Sequence, residues 1–257
     1  MKRRFQTMND ERFELFVESA KTYIKARAGA GKEVYIKPVR RNNDIVKAGI
    51  AIIEEGKNIS PTIYLEPYYA KIVDGRDPQK VYEEIWECYE KNREPEKFDF
   101  SKFVDFEKAK KRIFLKLVNT EKNREYLELI PSVPFLDLSI IFCYMVEEFK
   151  GEFATIQIYN EHMEMWDTTP EELYEIALKN TPELLEYNIK STEPLKGYDV
   201  QGLSNVDENM YILTNQLHIY GAGVILYPGL MEKIFNFFED NFYIIPSSVH
   251  EVMFLTE

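Results

Sequence analysis

The sequence predicts an α+β protein, with mainly antiparallel mixed sheets, about five helices and a C-terminal β-β-α-β-β unit. Three observations predict it. Some stretches repeat apolar residues at i, i+3, i+4 spacing and others read as short β-branched and aromatic runs. Short polar loops separate several of those runs, as in antiparallel hairpins. A chain of 257 residues, 45% hydrophobic and 30% charged, is long and apolar enough to bury a substantial core.

The elements follow in order. Asn9 can cap a helix to about Arg27, with Phe13, Phe16, Val17, Ala20, Tyr23 and Ile24 on one face. The glycines of AGAGKE (28–33) end it. This stretch faintly resembles a phosphate loop and fails as one. The first glycine of that pattern falls at Ala26, Glu33 stands where a magnesium-binding hydroxyl is needed, and helix precedes strand. EVYIKPV (33–39), VKAGIAII (46–53) and ISPTIYL (59–65) read as an antiparallel meander. Asp77 and Pro78 cap and start a helix to Asn92, with Val81, Tyr82, Ile85, Cys88 and Tyr89 on its buried side.

REPEKFDFSKF (93–103) has no clear period and reads as a connection. The chain is therefore read as one compact body, with subregions 1–92 and 111–257 joined by 93–110. RIFLKLVN (112–119) is an alternating strand, followed by a turn or short helix in TEKNREYLEL. LDLSIIFCYMV (136–146) and FATIQI (153–158) are strands joined around Gly151, the first preceded by a PSVPF turn. Thr169, Pro170 and Glu172 form a capping box that opens a helix to about Lys179. MYILT (210–214) and GAGVILY (221–227) read as a hairpin. A helix then starts at Pro228, with Leu230, Met231, Ile234, Phe235 and Phe238 as its apolar positions. FYII (242–245) and VHEVMFL (249–255) complete the C-terminal unit.

Several motifs in this order resemble an uncharacterised bacterial family, a domain of unknown function. They are SPTIYLEPYY (60–69), LVNTEKNREYLELIPSVPFLDLSIIF (117–142), ATIQIYNEHMEMWDTTPEELYEIALKNT (154–181), and MYILTNQLHIYGAGVILYPGLMEKI with FYIIPSSVHEV. The resemblance covers nearly everything after about residue 30. It implies a family and no mechanism.

Composition narrows the function classes. A formal charge of −12 opposes nonspecific nucleic-acid binding, which depends on cations neutralising phosphates. It suits a solubilising surface or a protein that docks on basic partners. No apolar run approaches the roughly 18 residues of a membrane span, and MKRRFQTMNDERFEL has no apolar block that reads as a secretory signal. Two cysteines, Cys88 and Cys143, make neither a disulfide framework nor a zinc set, so a reducing, cytoplasmic setting is expected.

The candidate chemistry is sparse. PSSVHEV (246–252) places Ser247, Ser248, His250 and Glu251 together. It lacks the nucleophile elbow, and in a strand Ser248 and His250 would stand about 6–7 Å apart, too far for a nucleophile and its base. The turn reading is preferred, with ligand or partner contact beside it. His162, His218 and His250 have no metal-ligand spacing in sequence, although three histidines can converge in space. Asp137 interrupts an apolar run, as a strand-start residue or as a partly buried acid. Trp166 reads as a loop residue that pins its loop or marks a contact. Asn119 and Asn123 read as caps.

The function expected is a non-catalytic cytoplasmic binding module with a protein partner and no cofactor or metal. One version is an acidic inhibitor of a cationic surface, of the kind mobile elements use in counter-defence. Its contact candidates are His162, Trp166, His218 and His250. The alternative is a hydrolase or metal-dependent enzyme built from His162, His218, His250 and Asp137. Oligomeric state is left open.

Overall fold

The computed structural model describes residues 11–41, 43, 45–55, 60–93, 100–146, 154–191, 210–239 and 241–256. The chain divides into two compact units, residues 1–100 and 101–257.

In the first unit, α1 (Glu11–Ala28) is followed by β1 (Lys32–Arg41), β2 (Ile45–Glu54) and β3 (Thr62–Tyr64), an antiparallel sheet in the order β1-β2-β3. The cap expected at Asn9 lies outside the described residues. Helices α2 (Glu66–Val73) and α3 (Pro78–Asn92) follow. Asp77 starts α3 as expected, its carboxylate accepting the Gln79 N–H at 2.8 Å. Phe13, Phe16, Ala20 and Ile24 of α1 pack with Ile50, Ile52, Ile63, Val81 and Ile85 in one core. The turn between α1 and β1 uses Gly29 and Gly31 at φ +76° and +80°. The lysine of AGAGKE, Lys32, is occupied at the sheet: it lies 3.5 Å from the Glu54 carboxylate and 5.6 Å from the Trp86 ring centre.

The second unit begins with two single helical turns, α4 (Ser101–Val104) and α5 (Phe106–Ala109), within the stretch read as a connection. A four-stranded sheet follows: β4 (Ile113–Asn119), β5 (Ser132–Phe135), β6 (Leu138–Met145) and β7 (Thr155–Gln157). Strand β6 is the centre, with β4 on one edge and β5 and β7 sharing the other. A 3₁₀ turn (Glu121–Asn123) and α6 (Arg124–Leu127) lie between β4 and β5, and α7 (Asn160–Trp166) and α8 (Pro170–Leu184) follow β7. Helix α8 covers the outer edge of β4. Thr181 Oγ1 accepts the Leu115 N–H at 3.0 Å, and Asn180 Nδ2 donates to the Ile113 carbonyl at 3.1 Å.

The last sheet comprises β8 (Tyr187–Ser191), β9 (Met210–Asn215), β10 (Phe242–Pro246) and β11 (Val252–Thr256), in the order β10-β11-β9-β8. Helix α9 (Leu230–Phe238) and a 3₁₀ helix (Gly221–Leu226) pack on one face. They bury Val224, Leu230 and Ile234 against Leu213, Val252 and Phe254.

The α+β class, the antiparallel sheets and the β-β-α-β-β order are all present, with corrections. The described residues contain nine α-helices and three 3₁₀ segments, against about five expected, because several are single turns too short for a periodic signal. GAGVILY is no strand. It is a 3₁₀ helix, and the strand that pairs with MYILT in its stead is YNIKS (187–191), which comes before it and whose polar residues gave no strand pattern. PSVPF is strand β5, and Leu136–Asp137 is the turn of the β5-β6 hairpin, with Leu136 at φ 54°. HMEMWDTT is largely helix α7, so Trp166 and His162 are helical. Strand β4 is buried on both faces, and β11 starts at Val252, so Ser248 and His250 precede it. The joint expected around Gly151 lies outside the described residues.

Strand β11 lies between β10 and β9, and its Val252 and Phe254 are 1% and 0% exposed. Deleting Pro246–Glu257 should unfold the second unit, because each such side chain is worth about 1.5–3 kcal/mol against net stabilities of about 5–15 kcal/mol. Thermal melting and size exclusion of the truncated chain check this. A soluble truncation that melts cooperatively at the wild-type temperature contradicts it.

Candidate functional site

The loop after β9 is wound around one side chain. Asn215 is fully buried. Its Oδ1 accepts the N–H groups of Leu217 at 3.1 Å and Ile219 at 3.3 Å, and its Nδ2 donates to the Ile219 carbonyl at 2.6 Å. This local bonding replaces the ladder that a hairpin would have used. His218 and Tyr220 sit at φ 55° and 53°, a left-handed conformation that costs a side-chain-bearing residue energy and persists only when its surroundings enforce it.

The turn before β11 closes on this loop. Thr214 Oγ1 donates to the His250 carbonyl at 2.7 Å, and the Tyr220 N–H donates to His250 Nδ1 at 3.2 Å. Ser248 Oγ accepts the His250 main-chain N–H at 3.0 Å, so the serine bonds the histidine's backbone and the ring nitrogen is taken by Tyr220. Gly221 makes the approach possible. A Cβ there would stand 2.2 Å from Thr214 Oγ1 and 2.4 Å from the His250 carbonyl oxygen. Gly221→Ala should therefore cost about 3 kcal/mol, the upper end of overpacking. A fall of several degrees in Tm checks it, and an unchanged Tm contradicts it.

The two segments together hold the Tyr220 ring over the β4-β6-β7 sheet. It stacks on His250 at 5.7 Å and on Phe114 at 6.0 Å, and Lys116 Nζ lies 4.6 Å from its centre. Lys116 is 7% exposed in the middle of β4. The tyrosine face supplies a cation–π contact that offsets part of the desolvation of its ammonium. Cys143 lies on the same sheet face. Burial pushes its thiol up to about 11, against the opposing pull of Lys116, so it is neutral near pH 7 and a poor nucleophile. The arrangement can lock a loop onto a sheet. It leaves neither Ser248, His250 nor Cys143 arranged as an activated nucleophile.

His162 and Trp166 form a separate cluster on α7. The Tyr159 N–H donates to His162 Nδ1 at 3.1 Å, which caps the helix start. Phe103 stands edge-on to both rings at 5.0 Å, and Trp166 Nε1 donates to the Phe103 carbonyl at 3.0 Å. Burial holds the His162 pKa below the ordinary histidine value, with Glu161 opposing. The unfolded chain, with a histidine pKa of about 6.5, then binds more protons than the folded one just below that pH. Stability falls as pH drops from there through the folded pKa, where the proton on Nδ1 also ends the cap. His162→Ala should thus lower Tm at pH 7.5, with the gap to wild type narrowing towards pH 5. A gap that stays constant or widens in acid contradicts this.

Residues 13–257 match the profile of a family of unknown function, DUF5688. The chain belongs to the DUF5688 family. No curated protein and no solved structure matches it. Several motif residues of this DUF5688 chain hold main-chain groups. Asn119 Oδ1 accepts the Lys122 N–H at 2.9 Å, Asn123 Nδ2 donates to the Asn119 carbonyl at 2.7 Å, and Asn160 Nδ2 donates to the Glu128 carbonyl at 3.0 Å.

Of the expected site residues, His162 and Trp166 come together, His250 joins Tyr220, and Asp137 and His218 are exposed at turns. The buried-acid reading of Asp137 is thereby corrected: a two-residue hairpin turn puts it in water. Among the described residues, no three histidine, cysteine or acidic side chains gather as a metal site, and no helix is long and apolar enough to cross a membrane.

Sequence reasoning missed a surface of the DUF5688 chain. On the sheet face opposite α9, paired positions bring together Met210, Ile212, Met253, Leu255, Tyr243 and Ile245. The first four are half-buried, and Tyr243 and Ile245 are 56% and 39% exposed. The signal was available in MYIL, VMFL and FYII, which do not alternate apolar with polar residues.

Proposed function

We propose that this chain is a non-catalytic binding protein that contacts a protein partner through the second face of its C-terminal sheet. The observation that carries the reading is the six-residue apolar set from Met210 to Leu255 on the face opposite α9. An antiparallel sheet with one face in water alternates apolar and polar residues, and this one does not. Contiguous apolar surface of this kind marks interaction sites, and methionines suit such surfaces because they adapt to a partner. Two sparse cysteines, neither of them in a disulfide, also suit a reducing, cytoplasmic setting. Apolar recognition is favoured over an acidic mimic of nucleic acid, because the distinguishing surface on this sheet carries no carboxylate.

The test places a photo-crosslinking amino acid at Ile212 in cells that express the chain. A discrete adduct should form there and not from Leu15, an exposed apolar position on α1 that is 68% exposed. Met253→Lys should abolish the adduct with little change in Tm. Equal labelling at both positions, or an adduct indifferent to Met253→Lys, overturns the proposal.

A further inference from the structure

We infer that strand β10 pairs with β10 of a second copy of this chain, joining two C-terminal sheets across a two-fold axis. The inference deepens the proposed function by naming one partner for the edge of the same surface. It starts from the sheet edges, which natural proteins protect with charge, proline, brevity or cover. Strand β1 carries Lys32, Glu33, Lys37 and Pro38, and β3 has three residues. Helix α8 bonds the edge of β4 through Thr181 and Asn180. Strand β8 carries exposed Lys190. Strand β10 has only the proline at its end: FYIIP carries no charge, and Tyr243, Ile244 and Ile245 are 56%, 38% and 39% exposed.

The charge pattern selects a second copy. The chain carries −12 overall, so a basic partner would be expected to seek carboxylates. The five residues of β10 offer it none. Two copies of the acidic chain can meet along this strand without opposing like charges. The strand is also self-complementary. Antiparallel pairing centred on Ile244 sets Tyr243 of each copy opposite Ile245 of the other, an aromatic with β-branched pair of the favourable kind. It also sets Phe242 opposite Pro246 and uses all five residues. Pro246 has no N–H to give the new ladder, and its place at the strand's end confines that loss to the last position of the pairing. Two-fold dimers are the commonest closed assemblies, and their interface must be self-complementary in this way.

Sedimentation velocity of the wild-type chain should show twice the chain mass at tens of micromolar. Tyr243→Lys with Ile245→Lys should show a single chain mass with an unchanged circular dichroism spectrum. A second variant keeps the test informative if that one misfolds. In the proposed register Ile244 faces its own copy, within the Cα separation that a disulfide spans. Ile244→Cys should therefore crosslink into a covalent dimer under mild oxidation, whereas Leu136→Cys, on a hairpin turn and 88% exposed, should not. A wild-type chain that stays monomeric, or equal crosslinking from both cysteines, overturns the dimer. A monomer that still gives a specific Ile212 adduct with another protein would leave the binding proposal standing and remove only the second copy.

Discussion

The second unit depends on the buried carboxamide of Asn215. One side chain satisfies three main-chain groups between Leu217 and Ile219. Without it, those half-buried groups would lose their partners, at a cost of about 0.5–1.5 kcal/mol for each bond. With it, the chain reverses sharply after β9, Tyr220 enters a left-handed conformation, and Gly221 lies against Thr214 and the His250 carbonyl. That contact brings the turn before β11 to the loop after β9. The same loop carries Tyr220 to Phe114 and Lys116 on β4, so a single polar centre connects the two sheets of this unit.

This explains why the histidines and serines of the C-terminal motif look catalytic and are arranged otherwise. Ser248 holds the main chain of His250, and His250 receives the Tyr220 N–H. His162 caps α7 by accepting the Tyr159 N–H, and Trp166 holds Phe103 through its indole N–H. Polar residues that bond main chain in irregular segments do the work that ladders do elsewhere. The bonds of Ser248, His250, His162 and Trp166 run to main-chain groups.

The face of the C-terminal sheet opposite α9 is apolar. The β10, β11 and β9 strands present apolar residues on both faces, and α9 with the Gly221–Leu226 helix accounts for one of them. Strand β10 contrasts with β1 and β8, which carry charge, and with β4, whose edge α8 bonds.

The sequence determined what depends on neighbours along the chain. Helices α1, α3, α8 and α9 were legible because their apolar residues recur at helical spacing and Asp77 or Thr169 supplies a cap. The β1-β2-β3 meander was legible from β-branched runs and polar turns. Tertiary structure decided the rest. GAGVILY has strand composition, yet Gly221 and Gly223 meet Thr214, His250 and Leu115 so closely that their backbone follows the packing. YNIKS looked like loop and became β8, because pairing with β9 gives it a ladder and seats Ile189 in the core. NEHMEMW became a helix because His162 caps it and Phe103 covers it. Local pattern fixes an element when its own residues supply the bonds and the apolar face. Where those come from residues far away in the chain, only the folded molecule settles which element forms.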